Sequence, residues 1–345
     1  MTNSPTLQAL LWPFAVAYDG IVRARATLYR RGLFRTNRLE GTVISVGNLT
    51  VGGTGKTPMV LWLAERLAGE GHRPAILTRG YRGDAQGDAG GLPTSDEVAL
   101  LRERLGARAQ LGVGKDRYAS GRTLERHGAK WFILDDGSQH LSLGRDADIV
   151  LIDATDPFGG GRLLPSGRLR EPKTALGRAD IVVITRSEHA PAVESVVRRF
   201  TQAPIFYART QLEAVLRVPA LLVPLPEGEL TRVRFFAFCG IGNPAAFFDD
   251  LARWGVQVQG RRAFRDHHKY VAAETERLEC DAALAGADAM ICTEKDVFNL
   301  SDALPKSLPV YACRIGLGLC EPERFWQAVM DSVQRCRQRR QKVAA

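Results

Sequence analysis

The sequence lacks three features that would define its class at once: a membrane-spanning hydrophobic run, a paired-cysteine motif and an internal repeat. Its N-terminal apolar segment, residues 7–18, is shorter than the roughly 20 residues that a spanning helix needs. The six cysteines form no C-x-x-C pair and all lie in the last third, which predicts a reduced, cytosolic chain rather than a zinc or disulfide framework. The absence of repeats and low-complexity tracts excludes a solenoid and a disordered chain.

The composition is that of a folded protein with a substantial core. The chain has 345 residues, enough for two domains at about 150 residues each, and 45% of them are hydrophobic. Continuous apolar runs alternate with helical stretches, and these runs are residues 42–46, 74–77, 131–134, 149–152 and 181–184. Such alternation predicts a parallel sheet covered on both faces, the doubly wound α/β class.

The alternation is interrupted once, which predicts a domain boundary. From residue 206 to 232 the pattern is lost, and three prolines break the extended runs. A second α/β unit then begins at Val233. We therefore predict a first domain at 41–206, a β-stranded linker at 207–232 and a second, smaller α/β domain at 233–345.

The charge is unevenly distributed. The formal net charge is +9, and arginines collect near both ends, at positions 23, 25, 30, 31, 35 and 38 and again at 335, 337, 339 and 340. Such clusters suit phosphate-bearing membranes or nucleic acid, whereas a solvated helix face is the alternative for the C-terminal cluster.

The N-terminal segment favours the membrane. Residues 7–18 are almost wholly apolar, include three aromatic residues, and are followed by arginines. The segment lacks a leading basic region and a cleavage site, so it does not match a signal peptide. We predict that residues 1–40 form an amphipathic, membrane-associated segment lying in the interface. The alternative is a helix that packs on the protein's own core.

A phosphate-binding loop is the clearest motif. The run Thr50, Val51, Gly52, Gly53, Thr54, Gly55, Lys56, Thr57 lies between the first predicted strand and a helix that begins near Pro58. Glycines allow backbone N–H groups to converge on phosphate oxygens, lysine reaches the β- and γ-phosphates, and the threonine hydroxyl binds Mg²⁺. The sequence therefore predicts a site for ATP and Mg²⁺, although Thr50 replaces the first glycine of the usual motif. A glycine-rich turn without function is the alternative.

Acidic residues follow the strand at 131–134. Asp135 and Asp136 end an apolar strand, where a P-loop Mg²⁺ site requires a carboxylate beside the threonine hydroxyl. Successive side chains of an extended chain alternate in direction, so we predict that one binds Mg²⁺ and the other orients a neighbour. The segment 167–172 carries two arginines suited to a substrate phosphate and Glu171, which is suited to the metal. A charged surface loop is the alternative for that segment.

Two clusters are candidates for the acceptor side of a kinase. Asp96 follows a Gly- and Asp-rich stretch at 82–94, which is expected to be a mobile loop near the mouth of the site. His267 follows Asp266, and an Asp–His pair can hold a base in the required charge state. The alternatives are a helix N-cap for Asp96 and a solvated turn for His267. Spacing alone does not join the two clusters.

Several motifs together resemble the tetraacyldisaccharide 4′-kinase family, the lipid A 4′-kinases of Gram-negative bacteria. The resemblance extends over nearly the whole chain and comprises residues 45–58, 78–81, 135–140, 167–172, 238–244, 266–268 and 293–296. Thr50 is typical of this family, which has Thr or Ser where a standard P-loop has its first glycine. Two departures are Ser138, where a bulky apolar residue is usual, and Val98, where proline is usual.

The resemblance implies a reaction, a fold and a location. ATP would phosphorylate the 4′-hydroxyl of a lipid A disaccharide precursor, with Asp96 as catalytic base, His267 as its partner and Lys56 on the nucleotide. Asp135, Asp136 and Glu171 would lie around the metal and the reacting phosphate. The fold would be a P-loop domain and a second α/β/α domain joined by a two-stranded linker. The location would be the cytoplasmic face of the inner membrane, peripheral or monotopic, with inner-membrane lipids as partners.

Two other classes remain to be compared with the kinase. A P-loop ATPase or GTPase of the partitioning or metal-chaperone type often has lysine where Val51 stands, and the guanine-specifying Asn-Lys-x-Asp is absent from the sequence. A basic nucleic-acid-binding module would explain the arginines but not the phosphate loop, and no nucleic-acid-binding motif is present. We therefore expect no nucleic-acid partner.

Overall fold

The computed structural model describes residues 5–80, 95–219, 223–226, 228–300 and 303–344. The chain divides into two compact units. The first comprises residues 1–80, 105–209 and 317–345, and the second comprises 81–104 and 210–316. The stretch 82–94, for which the sequence predicts a mobile loop, lies outside the described residues.

The first unit is a parallel sheet with strand order β3-β2-β4-β1-β5-β6-β7. Its strands are β1 (Thr42–Asn48), β2 (Ala75–Thr78), β3 (Gln110–Val113), β4 (Trp131–Asp135), β5 (Ala147–Asp153), β6 (Ile181–Thr185) and the start of β7 (Ile205–Arg217). Strands β1, β5 and β6 are buried along their whole length, which is why they appear in the sequence as unbroken apolar runs. The register pairs Val46 with Asp135, so the end of β1 and the acidic pair lie at the same edge.

Five helices belong to the first unit: α1 (Pro5–Arg30), α2 (Lys56–Gly69), α4 (Arg117–Arg126), α5 (Pro191–Arg198) and α9 (Pro322–Ala344). Helix α9 packs through Phe325, which makes edge-to-face contacts with Trp62 and Phe206. Two of its C-terminal arginines are held within the unit, because Arg337 donates to Thr42 and Arg340 pairs with buried Asp146 at 2.7 Å. Part of the C-terminal basic cluster therefore ties this helix to the protein.

The second unit is a smaller parallel sheet in which β11, β10, β8 and β9 are neighbours in that order. Its strands are β8 (Arg234–Cys239), β9 (Gln257–Ala263), β10 (Ala289–Thr293) and most of β11 (Val310–Leu319). Its helices are α3 (Asp96–Leu105), α6 (Pro244–Arg253), α7 (Ala272–Leu284) and α8 (Glu294–Leu300). Two of the chain passages between the units lie within β7 and β11 and are extended.

The predicted fold class, a P-loop-type α/β domain with a second α/β domain, is confirmed. The compact units differ from the predicted domain limits in two places. Residues 317–345 belong to the first unit because α9 packs on its sheet, and α3 belongs to the second unit. No local sequence pattern indicates that residues 317–345 belong to the first unit or that α3 belongs to the second. The predicted domain limits, 41–206, 207–232 and 233–345, stay a prediction.

Helix α1 is continuous through Pro13. In the described part of the chain, no helix has both the length and the apolarity that crossing a membrane requires. Trp12 and Phe14 are 60% and 64% exposed. The Tyr18 hydroxyl donates to the Arg170 carbonyl at 3.0 Å, and Arg25 donates to the Gln139 carbonyl. The helix therefore contacts the first unit and also presents large apolar side chains to solvent.

Candidate active site

The phosphate loop has the backbone that its glycines allow. Gly52 and Gly55 have φ angles of +127° and +86°, which disfavour any residue with a Cβ. Gly55 caps α2, whose first residue is Lys56, so the loop ends on the positive end of a helix dipole. The Thr185 hydroxyl at the end of β6 donates to the Thr54 carbonyl at 3.1 Å and fixes the loop from the sheet. The sequence analysis did not identify Thr185, because only the strand order brings it here.

Lys56 is directed toward the acidic edge of the sheet. Its ammonium group donates to Asn48 Oδ1 at 3.2 Å and lies 3.5 Å from Asp136 Oδ1. Asn48 in turn donates from its amide to the Thr50 carbonyl at 2.9 Å. The last residue of β1 thus supports both the lysine and the start of the loop, a role that the sequence motif does not reveal.

The two aspartates face different partners. Asp135 accepts a hydrogen bond from the Thr78 hydroxyl at 3.0 Å, and Asp136 pairs with Arg170 at 2.7 Å. The two side chains point in different directions for two reasons. Neighbouring residues of a strand alternate in direction, and Asp136 lies in a turn with a left-handed φ of +52°. Burial favours a raised pKa for Asp136, but the charges of Lys56 and Arg170 outweigh it and hold the pKa of this carboxyl below its ordinary value.

The segment 167–172 lies against the phosphate loop. Thr50 and Leu169 form an antiparallel bridge, the Val51 N–H donates to the Arg168 carbonyl, and the Arg170 N–H donates to the Leu49 carbonyl. This pairing explains how two segments more than a hundred positions apart form one site. It also excludes the reading of this segment as a free surface loop.

Glu171 is buried and fully partnered. Arg178 donates to its Oε1 at 2.8 Å and Gln139 donates to its Oε2 at 3.0 Å. Gln139 also donates to the Asn48 carbonyl at 3.0 Å and accepts from Arg170 at 3.3 Å. A chain of polar contacts therefore runs from Lys56 to Glu171.

The oxygen ligands at this edge suit Mg²⁺ in type, since that ion binds hard oxygen donors. Thr57 in the first turn of α2, Asp135, Asp136 and Glu171 supply a hydroxyl and three carboxylates. Among the described residues, no group of three or more His, Cys, Asp or Glu side chains is placed to hold a metal. Mg²⁺ usually takes one or two carboxylates and completes its shell with phosphates and waters.

Two further residues near the acidic pair were not singled out from the sequence. Arg117 is 6% exposed at the start of α4, and it interacts electrostatically with Asp135 and Asp136. Burial and then the charges of Arg117 and Arg145 lower the pKa of His140 to about 4, so this imidazole is neutral at pH 7. In the sequence, Arg117 directly follows the aspartate that caps α4. A capping residue followed by a basic residue is a common pattern, so it does not identify Arg117 as part of a site.

In the second unit, Asp96 and His267 form a pair. His267 Nδ1 lies 2.8 Å from Asp96 Oδ2, and the two side chains are 19% and 5% exposed. Ser95 rather than Asp96 takes the capping position, since its hydroxyl accepts from the Val98 N–H at 3.4 Å. Asp96 Oδ2 thereby remains directed at the imidazole, and His267, although it lies in a turn, has a largely buried side chain.

The contact shifts the pKa of both members of the pair. The hydrogen bond to Asp96 raises the pKa of His267 above its ordinary value despite partial burial. Burial would raise the pKa of Asp96, but the hydrogen bond from His267 and the charge of Lys295 outweigh it and lower that pKa. Lys295 also lies 2.9 Å from Glu97. Both shifts favour the charged forms, an imidazolium at His267 beside a carboxylate at Asp96.

We expect a pH-dependent contribution of this pair to stability. Because the folded pKa of His267 is raised above 6.5, the contribution is complete below pH 6.5 and is lost as the pH rises through the folded pKa. His267→Gln should lower the free energy of unfolding by about 1.5 kcal/mol at pH 6 and by less at pH 9, measured by urea titration. His127→Gln, at an exposed site, is the control and should keep the wild-type pH dependence. Equal losses at both pH values would contradict an ionic pair.

A glycine loop after a parallel strand, a lysine at the start of the next helix and carboxylates at the same edge define a P-loop nucleotide-dependent enzyme. Over residues 7–334 the chain matches the profile of the family described as tetraacyldisaccharide-1-P 4′-kinase. The chain belongs to this family and is a kinase.

Relatives and a solved structure agree with this assignment. A tetraacyldisaccharide 4′-kinase of Geobacter sulfurreducens is 41% identical over 340 residues, covering 95% of this chain and 94% of the relative. One from Desulfotalea psychrophila is 37% identical, covering 91% and 94%. The crystal structure of LpxK from Aquifex aeolicus in complex with ATP has a TM-score of 0.72 at 31% identity, covering 95% of this chain and 99% of that one. The kinase prediction is supported over the ATPase or GTPase alternative.

Proposed function

We propose that the protein transfers the γ-phosphate of ATP to the 4′-hydroxyl of a tetraacyldisaccharide 1-phosphate in lipid A biosynthesis. The observation that carries the phosphate transfer is the placement of Lys56 at the start of α2, held between Asn48 and Asp136. The identity of the acceptor rests on membership of the family. The proposed nucleotide contacts are residues 50–57.

Mg²⁺ would be held by the Thr57 hydroxyl and by one or two carboxylates drawn from Asp135, Asp136 and Glu171. When bound, it neutralises charge on the phosphates. Arg170 and Arg178 hold Asp136 and Glu171 in fixed directions, and Arg170 is also suited to an anionic phosphate. The role of this chain's residues is to present oxygen ligands and cationic donors in one rigid arrangement.

On the acceptor side, we assign the base to Asp96. The 4′-oxygen forms a bond to the γ-phosphorus, the bond from that phosphorus to the bridging oxygen breaks, ADP leaves, and Asp96 takes the hydroxyl proton. A carboxylate with a lowered pKa is a weak base. It nevertheless suits a loose phosphoryl-transfer transition state, in which little proton transfer is needed before the bond breaks. His267 holds Asp96 ionised and oriented.

A test of the reaction compares ADP formation by the full chain with and without the lipid acceptor. The proposal expects ADP formation to rise at least tenfold when tetraacyldisaccharide 1-phosphate is added in detergent micelles, with one phosphorylated lipid per ADP. Rapid ATP hydrolysis that is independent of the lipid would contradict it and would favour a P-loop ATPase.

We further propose that α1 binds the inner-membrane surface from the cytoplasmic side, as a peripheral or monotopic anchor. Trp12, Phe14, Val16 and Ile21 are all more than half exposed, and arginines follow them along the helix. Apolar side chains of this kind enter the interfacial region of a bilayer while the arginines approach anionic headgroups. A lipid acceptor would be located in the membrane, so the reaction would take place at such a surface.

The double variant Trp12→Asp/Phe14→Asp should lower the partition constant onto vesicles containing phosphatidylglycerol more than tenfold. Removing two large apolar side chains from the interface forfeits about 1.5–3 kcal/mol each. Cosedimentation of the full chain with the vesicles gives the measurement. Leu284→Asp changes an 88% exposed leucine in the second unit and should bind like the wild type. Wild-type binding by the double variant would mean that α1 is not the anchor.

A further inference from the structure

The carboxylate of Asp296 is an unusually well-partnered buried group outside the residues assigned above. Asp296 lies in α8 and is 1% exposed. Its Oδ1 accepts from the Gly240 N–H at 2.7 Å and from the Tyr270 hydroxyl at 2.7 Å. Its Oδ2 accepts from the Thr293 N–H at 3.1 Å and from the Thr293 hydroxyl at 2.6 Å. One side chain thus joins three separate segments of the second unit.

Gly240 connects this carboxylate to His267. The N–H of Gly240 donates to Asp296, and its carbonyl accepts from the His267 N–H at 3.0 Å. A Cβ on residue 240 would lie 3.0 Å from the Cβ of His268 and 3.1 Å from the Arg265 carbonyl oxygen. Residue 240 is therefore a tightly fitted link between Asp296 and the turn that carries the imidazole.

The turn is held a second time at its other end. The Tyr270 N–H donates to the Asn299 carbonyl of α8 at 3.1 Å, while its hydroxyl donates to Asp296. The Tyr270 ring contacts the rings of Phe264 and His268 at centroid distances of 5.1 and 5.0 Å. Between these anchors His267 has a φ of +58°, a conformation that a non-glycine residue keeps only when its surroundings enforce it.

Helix α8 also contacts the other half of the pair. The Asn299 amide lies 3.5 Å from Asp96 Oδ2, and Lys295 pairs with Glu97 at 2.9 Å. The helix is itself fixed at its start, because buried Glu294 accepts from Arg314 at 2.7 Å and from Arg104 at 3.1 Å. One short, firmly held helix therefore supports Asp96 and His267 from both sides.

We propose that Asp296 is a positioning residue of the phosphotransfer reaction: through Gly240 and Tyr270 it fixes the left-handed turn that places His267 Nδ1 on Asp96. Asp296 acts through these residues and does not itself touch the reacting groups. This inference rests on the proposed roles of Asp96 and His267, but the position of the imidazole is measurable without any turnover.

The principal test variant is Asp296→Asn in the full chain. Asparagine has the same shape, yet each oxygen of Asp296 accepts from a backbone N–H, so either orientation of the amide sets an N–H₂ against a backbone donor. We expect kcat to fall at least tenfold and KM for ATP to change less than twofold. The His267 pKa, followed by NMR with the signal assigned by its absence in His267→Gln, should fall toward 6.5.

Gly240→Ala is an independent variant that leaves the Asp296 carboxylate intact. Its added Cβ would crowd His268 and the Arg265 carbonyl in the turn that carries His267. It should shift the His267 titration in the same direction. Thr293→Val is the matched control, because it removes the hydroxyl that bonds Asp296 Oδ2 and caps the Asp296 N–H at the start of α8, on the side away from Gly240. It should keep kcat within twofold and the wild-type His267 titration, even if it lowers the melting temperature. The other charged groups that face His267 are Asp96, Asp266 and Glu97, all unchanged in these variants.

The outcomes separate the possibilities. Folded Asp296→Asn and Gly240→Ala with a wild-type His267 titration would overturn the positioning role, whatever their activity. A shifted titration without loss of kcat would support the positioning but contradict the role of the pair in catalysis. If Asp296→Asn does not fold, Tyr270→Phe replaces it: a shifted His267 pKa relative to Thr293→Val supports the inference, and an unshifted one overturns it.

Discussion

Asp96→Asn should lower kcat about a thousand-fold and leave KM for ATP within about twofold. A positioned general base contributes about 10²–10⁴-fold to a proton-transfer step, and the amide oxygen of asparagine can still accept the hydrogen bond of His267 while being unable to take a proton. The contact with His267 can therefore be kept, although the asparagine N–H₂ then faces the Glu97 N–H in place of the oxygen that accepts from it. Steady-state rates with the lipid acceptor at saturating ATP give the comparison.

The matched control for this variant is Asp266→Asn. Asp266 is a neighbouring carboxylate, 3.8 Å from His267 Nε2 and 52% exposed, so its loss changes the local charge without touching the Asp96 contact. Its kcat should fall less than threefold. Full activity of Asp96→Asn would refute the assignment of the base, although the kinase assignment would stand.

Lys56→Met should lower kcat by about 10²–10³-fold and should also weaken ATP binding. The cost of removing one preorganised cationic donor from a site of developing charge is of that order. Methionine keeps the length of the side chain, so packing at the start of α2 changes little. The structure holds the ammonium group between Asn48 and Asp136.

Lys130→Met is the corresponding control, since Lys130 is an exposed lysine in the same unit just before β4. It should have wild-type kcat and wild-type ATP affinity by calorimetry. If Lys56→Met kept both values within threefold, the loop at residues 50–57 would not be the phosphate site.

The phosphate loop was predictable because its determinants are local. The strand, the glycines, the lysine and the helix follow one another within 30 residues, and the two φ angles above +80° occur at glycines in the motif. The apolar strands were predictable for a similar reason, since each is buried on both faces. Strands β3 and β9 were missed: β3 has only four residues, and β9 is largely exposed with several polar side chains.

The acceptor-side pair was not predictable from residue patterns alone. Asp96 and His267 are separated by 171 positions, and each occurs in a segment with an ordinary alternative explanation. Only the resemblance to a family joined them before the structure did. Asp296 was not identified from the sequence for the same reason. It lies in a short helix, and its proposed role depends on contacts with Gly240 and Tyr270, which come from other segments.

Helix α1 shows a different limit of sequence reasoning. Pro13 cannot donate a backbone hydrogen bond, yet the helix continues through it from Pro5 to Arg30. The contacts of Tyr18 and Arg25 with the backbone of residues 170 and 139 also lie outside any local pattern. They place part of the segment on the protein and leave Trp12 and Phe14 exposed.

The most direct test of the account is to locate the phosphate transferred from ATP. The full chain, γ-labelled ATP, Mg²⁺ and tetraacyldisaccharide 1-phosphate are incubated together, and the lipid product is analysed by phosphorus and proton NMR. The account predicts one new phosphomonoester on the 4′-oxygen, formed by the wild type and nearly absent with Lys56→Met and Asp96→Asn. Label appearing only as inorganic phosphate, or on another position of the lipid, would contradict it.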